Sequence, residues 1–266
     1  MPGRQVAFLQ AYADGEKAVS ASFKRPIILT DCATHYCPGC GHGIVHRIIA
    51  EIIEEQNLRE RIIGMAPVGC AVLAYYYLDI DMSEAAHGRT PAVATGLKRA
   101  NPDCIVFSYQ GDGDLAAIGT AEMIHSANRG ESISIIFINN AVYGMTGGQM
   151  APTSLPGMKT TTTPRGRQVL QEGPPIRVCE LLSGFERVAY LARTTLGTPK
   201  DILATKKAIA RAFKTQEKGM GFSLVEILSP CPTYWKMTPV EAMRYVNGEL
   251  ADYFKPGVFK DWREDE

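Results

Sequence analysis

The stretch from Gly111 to Asn140 constrains this chain more than any other. Ile105-Val106-Phe107-Ser108-Tyr109 is an apolar run of strand length, and it leads into Gly111-Asp112-Gly113-Asp114. The two glycines predict a tight turn that brings backbone close to a ligand. A helix is expected from about 118 to 128, followed by a strand over Ser132-Ile133-Ser134-Ile135-Ile136-Phe137-Ile138 that ends at Asn139-Asn140. Parallel pairing would bring the C-terminal ends of both strands to one edge, so Asn140 would lie beside Asp112. Their separation of 28 positions (140 − 112) suits one strand-helix-strand crossover, and open α/β sheets bind ligands in the crevice beyond such strand ends. Asp112 offers a hard oxygen to magnesium, an ion that keeps waters and phosphate oxygens and takes one or two protein side chains.

The remaining chain alternates in the same way. A helix with Ile44, Ile48 and Ile52 on one face precedes a strand over 61–66, and a small-residue helix is expected from about 92 to 100. After the central unit, a long Gly-, Thr- and Pro-rich loop runs from 141 to about 173; a connection of that length is usually functional or ordered by a neighbour. A strand over 187–191, a helix over 200–218, a strand over 222–228 and a last helix over 239–254 follow. The economical reading is one doubly wound, mostly parallel α/β domain over residues 31–266, with residues 1–30 as an extension packed against the domain or a partner.

Composition narrows the partners. With 28 basic and 28 acidic residues the formal net charge is zero, which argues against nucleic acid, whose phosphate backbone needs a basic footprint. No apolar stretch approaches a membrane span and residues 1–5 do not open a signal peptide, so a cytoplasmic protein is expected.

Seven cysteines are too unevenly placed for a disulfide scaffold. Cys37 and Cys40 form a Cys-x-x-Cys pair on a Pro-Gly loop, which by itself suits half a zinc site, half an iron-sulfur site or a redox disulfide. No second close pair follows. Cys70 and Cys231 stand singly, each closing a predicted strand, and both would lie on the same rim as the Cys37 loop; four thiolates so placed would suit a 4Fe-4S cluster. Cys32, Cys104 and Cys179 read as ordinary thiols, and His35, His42 and His125 as structural.

Gly-Asp-Gly with a double Asn at this spacing resembles the magnesium-diphosphate signature of thiamine diphosphate enzymes. In that family the Asp, the second Asn and a backbone carbonyl two residues later hold the metal, which implies Asp112, Asn140 and the Val142 carbonyl. A more specific resemblance lies in Cys-Pro-Gly-Cys-Gly-His-Gly, Val-Gly-Cys, His-Gly-Arg, Gly-Asp-Gly-Asp, Asn-Asn-x-x-Tyr-Gly-Met-Thr-Gly-Gly-Gln and Cys-Pro-Thr-Tyr. In this order they are similar to the β subunit of 2-oxoacid:ferredoxin oxidoreductases, and the match runs from about Cys37 to Tyr234. The resemblance implies cluster ligation by Cys37, Cys40, Cys70 and Cys231. It places Gly69, Cys70, Ala71, His87, Gly113, Asp114, Gly144 and Met145 around the thiamine cofactor.

The activity so implied is oxidative decarboxylation of a 2-oxoacid to acyl-CoA and CO2, with electrons passed through the cluster to ferredoxin, or the reverse carboxylation. The glutamate that activates the cofactor in this family comes from another domain with no counterpart here, and no Cys-x-x-Cys-x-x-Cys-x-x-x-Cys run marks an onboard ferredoxin module. The resemblance therefore implies an obligate α subunit carrying the pyrimidine-side domain, with γ and ferredoxin-like δ subunits as further candidates. Where several relatives carry Lys three positions after the third cluster cysteine, this chain has Leu73, which favours a branched-chain or other apolar 2-oxoacid over 2-oxoglutarate. Two rivals remain: a non-oxidative thiamine diphosphate decarboxylase or synthase, which has no need of the cysteines, and a zinc protein with a cofactor-free cleft.

Overall fold

The computed structural model describes residues 24–262, so most of the expected 1–30 extension lies outside the described residues. Its final part packs on the domain: Ile28 is buried and Leu29 bridges Leu78. Among the described residues seven strands form one sheet, β1 (Ile62–Ala66), β2 (Asp81–Glu84), β3 (Ile105–Gly111), β4 (Ser134–Asn139), β7 (Val188–Thr195), β8 (Phe222–Leu228) and β9 (Gly257–Asp261). Their order is β2-β1-β3-β4-β8-β7-β9, parallel throughout except for β9 against β7. A small hairpin, β5 (Val142–Tyr143) and β6 (Gln149–Met150), stands apart. The expected doubly wound, mostly parallel sheet is therefore present, whereas β2, β9 and the helix at Val178–Ser183 had not been anticipated.

The central strands are buried on both faces, as a parallel sheet covered by helices requires. Phe107, Tyr109, Ile136, Ile138, Val225 and Ile227 face helices α1 (His42–Glu55) and the long Pro199–Glu217 helix. Val106, Ile135, Phe137 and Leu224 face the other layer, built from α2 (Thr90–Ala100), α3 (Thr120–Arg129) and α4 (Val178–Ser183). Alternate residues of each strand thus serve opposite layers, which explains their continuous apolar character. No helix among the described residues is long and apolar enough to cross a membrane.

The Gly111-Asp112-Gly113 segment is built differently from the expected turn. Gly113 lies in the right-handed helical region at φ −66° and neither glycine has a positive φ. The chain instead becomes helical at once, passing through a π-helical turn over Asp114–Ile118 into α3. Gly113 is required for space, because a Cβ there would lie 2.1 Å from the Tyr143 ring.

One buried ion pair crosses the sheet. Arg193 of β7 donates from Nε to Glu226 Oε2 of β8 at 2.8 Å, and from Nη1 and Nη2 to the two Glu180 oxygens at 3.0 and 2.6 Å. Asn139 Nδ2 donates to Glu226 Oε1 at 2.8 Å. The Arg193 and Glu226 side chains have no solvent exposure, and a buried ion left without its partner is far costlier than the pair is stabilising. Arg193→Met is expected to lower unfolding stability by about 3–5 kcal/mol in urea titrations. Adding Glu226→Gln should restore a large part of that loss; equal losses in the single and double variants would contradict this account.

Candidate cofactor and cluster site

The register of β3 on β4 sets Gly111 opposite Ile138, so Asp112 and Asn140 emerge together beyond the sheet edge. Both are buried, at 2% and 6% exposure. The Val142 N–H donates to Asp112 Oδ2 at 3.2 Å and to Asn140 Oδ1 at 3.3 Å, which brings the two side-chain oxygens to one point. This convergence needs Ala141 in the left-handed region, φ 58°, a conformation uncommon for a residue with a Cβ. Asn139, the first of the pair, points away and holds Glu226.

Burial pushes the Asp112 carboxyl up to about 7, against hydrogen bonds from Thr153 and from the N–H groups of Gly113, Val142 and Ala141 that favour its charged form. A cation beside it would relieve that cost. A cavity of about 110 Å³ opens here. Gly69, Cys70, Ala71, His87, Gly113, Asp114, Gly144 and Met145 all line it, as do Asp112, Asn140 and Val142. Asp114 is a strut. Its Oδ1 accepts from His87 Nδ1 at 2.5 Å and from the Gly88 and Val68 N–H groups at 2.9 and 3.4 Å, while its Oδ2 accepts from Gln110 Nε2 at 2.6 Å. The His87 ring is thereby fixed through Nδ1.

The four cysteines Cys37, Cys40, Cys70 and Cys231 line a second cavity of about 200 Å³. The Cys37 loop reaches Cys231 because Gly41 docks on the chain after β8: its N–H donates to the Pro230 carbonyl at 3.4 Å, and a Cβ there would meet Ser229 Oγ at 2.1 Å. Gly144 lies against Cys70 and Cys231, since a Cβ on it would lie 2.9 Å from Cys70 Sγ and 3.9 Å from Cys231 Sγ. Burial, reinforced by neighbouring cysteines, pushes the Cys70 thiol up to about 11; burial pushes Cys231 up to about 12 and also raises Cys40. Such thiols become ligands when a positive metal-sulfur core takes their protons' place. Among the described residues, no three His, Cys, Asp or Glu side chains gather closely enough for a single metal ion.

His42, Cys70, Asn140, Gly144 and Met145 line both cavities, so the two share a wall. His42 had been read as structural, and here it is a buried part of that wall. Its Nδ1 is 2.6 Å from the Tyr109 hydroxyl and its ring stacks on Tyr36 at 4.8 Å. Burial lowers its pKa to about 3, with a further contribution from His35, and keeps the imidazole neutral. The Cys-Gly-His spacing alone carried no sign of this, because the partner, Tyr109, lies 67 positions away. Thr153, Ser154, Arg167 and Trp235, which support Asp112, Ala141 and Asn140, were likewise not singled out. Leu73 is half-buried and lies outside the residues lining either cavity.

Comparison with known proteins follows the same outline. The family described as thiamine pyrophosphate enzyme, C-terminal TPP binding domain, matches residues 67–227. The ketoisovalerate oxidoreductase subunit VorA of Methanothermobacter thermautotrophicus is 49% identical over 229 residues, 86% of this chain and 48% of that protein. This chain therefore spans about half the length of that relative. The 2-oxoglutarate synthase subunit KorB of Methanocaldococcus jannaschii is 38% identical over 201 residues, 75% of this chain and 70% of that one. Among solved structures, the 2-oxoglutarate:ferredoxin oxidoreductase of Magnetococcus marinus superposes with a TM-score of 0.76 at 26% identity, over 91% of this chain and 86% of that chain. The chain belongs to the thiamine pyrophosphate enzyme family and, within it, to the β-type subunits of 2-oxoacid:ferredoxin oxidoreductases.

Proposed function

We propose that this chain is the subunit of a 2-oxoacid:ferredoxin oxidoreductase that binds thiamine diphosphate, magnesium and a 4Fe-4S cluster, and that its substrate is a branched-chain 2-oxoacid. The reaction would join the acyl group to coenzyme A, release CO2 and reduce ferredoxin, or run in reverse. The observation that carries this reading is the wall shared by the acidic cavity and the four-cysteine cavity. A non-oxidative thiamine diphosphate enzyme has no use for the second cavity. A zinc protein has no use for the first.

Bound thiamine diphosphate would supply the electron sink for decarboxylation. The chain's own residues bind and orient. Asp112, Asn140 and the Val142 carbonyl would hold magnesium against the diphosphate, an arrangement suited to a hard ion with few protein ligands. Gly111 leaves open space where a side chain would stand. His87, fixed by Asp114, lines the same cavity. Cys37, Cys40, Cys70 and Cys231 would ligate the cluster, and His42 fills the partition between the two cavities without carrying charge. Four thiols lining one cavity suit the all-cysteine ligation of a 4Fe-4S cluster. The pyrimidine side of the cofactor would be completed by a partner α subunit, with γ and ferredoxin-like δ subunits as candidates, and the assembly would be cytoplasmic.

Identity to VorA favours a branched-chain substrate. Three outcomes are expected. Anaerobically purified protein should hold about four irons and four sulfides per chain, lost in Cys37→Ser, with a dithionite-reduced electron paramagnetic resonance signal; stoichiometric zinc would refute the cluster. Asp112→Asn should abolish magnesium-dependent binding of thiamine diphosphate in calorimetry while leaving the iron content intact. The assembled complex should turn over 2-oxoisovalerate faster than 2-oxoglutarate, and this chain alone should be inert towards both; strong preference for 2-oxoglutarate would overturn the substrate.

A further inference from the structure

The loop over 141–173 is organised from within, around one buried cation. Arg167 is 5% exposed and its hydrogen bonds run to six backbone carbonyls. Nε donates to Gly173 at 2.9 Å; Nη1 to Ala151, Pro152 and Ser154 at 3.3, 2.9 and 2.7 Å; and Nη2 to Glu172 and Pro174 at 3.2 and 3.1 Å. The guanidinium thus joins the two limbs of the loop, residues 151–154 and 172–174. A lysine, with one point charge and three donors, cannot reproduce this planar fork.

The first limb continues directly into the acidic cavity. Thr153, fully buried, donates from Oγ1 to Asp112 Oδ2 at 2.7 Å. Ser154, also fully buried, donates from Oγ to the Ala141 carbonyl at 2.6 Å and accepts from the Ala151 N–H at 2.9 Å. Two adjacent residues on one limb therefore hold the carboxylate and the strained left-handed residue that turns Asn140 and Val142 towards it. Outer partners of this kind commonly change metal affinity ten- to a hundredfold when removed.

We propose that Thr153 and Arg167 are positioning residues of the metal-diphosphate site: Thr153 aims the Asp112 carboxylate, and Arg167 holds the limb from which Thr153 and Ser154 reach it. This rests on the reading that Asp112 and Asn140 hold magnesium. Neither residue touches the ion or the cofactor; both act through Asp112 and Ala141.

The test is magnesium affinity at saturating thiamine diphosphate, measured by calorimetry on the full chain with whatever subunits accompany it, alongside the melting temperature without metal. Thr153→Val is expected to weaken magnesium binding about tenfold with little change in melting temperature, and Thr153→Ser to retain it. Arg167→Lys should weaken binding by a similar factor and open residues 155–171 to protease. Arg167→Gly should regain affinity when guanidinium is added at low millimolar concentration. Unchanged affinity in Thr153→Val overturns the proposal, as does an equal loss in Thr153→Ser, which would mark a merely structural role. If the parent protein itself binds thiamine diphosphate without regard to magnesium, the metal reading fails, and the inference falls with it.

Discussion

The hydrogen bonds between β3 and β4 are the constraint on which the site depends. Because Gly111 stands opposite Ile138, the next residues of each strand leave the sheet at one rim, and a carboxylate and a carboxamide 28 positions apart (140 − 112) become neighbours. The chain then uses a single N–H, that of Val142, to draw both oxygens together. A slip of one residue in this pairing would send Asp112 to the opposite face of the sheet, since side chains alternate along a strand. The register is held by layers of apolar side chains on both faces and by Asn139, which ties the end of β4 to the buried Glu226 and Arg193.

The two cavities share an electrostatic character. Each places groups that carry negative charge when they ligate a metal where burial favours the neutral form, as with Asp112 in one and Cys70 and Cys231 in the other. Their natural complements are positive centres, and binding of such centres would release protons and add to the folding free energy. His42 between them stays neutral and anchored, so it adds no charge to either side.

Much of this was legible in the sequence because it is written in residue types at strand ends. Continuous apolar runs marked β3, β4 and β8, and the Asp, the double Asn and the single cysteines all follow such runs. Gly113 was expected in a tight turn, but its backbone is helical; it makes room for Tyr143, whose ring is brought in by tertiary packing. Arg167 could not be read, because its partners are carbonyls, which every residue possesses and which leave no trace in composition. The short strands β2 and β9 escaped for a related reason. Their pairing is decided by the neighbour that receives them more than by local pattern.

The strand order also governs when the molecule can come together. β4 lies beside β8, so Ser134 pairs with Ser223, 89 positions later (223 − 134). Contacts so distant along the chain are slow to form, because loop closure must be met before they reward it. During synthesis the chain up to Asn139 can build β1, β3 and β4, yet one flank of β4 stays open until β8 has left the ribosome. Cys231 and Trp235, whose indole donates to the Asn140 carbonyl, emerge later still. The two cavities can therefore be completed only after Trp235 has emerged.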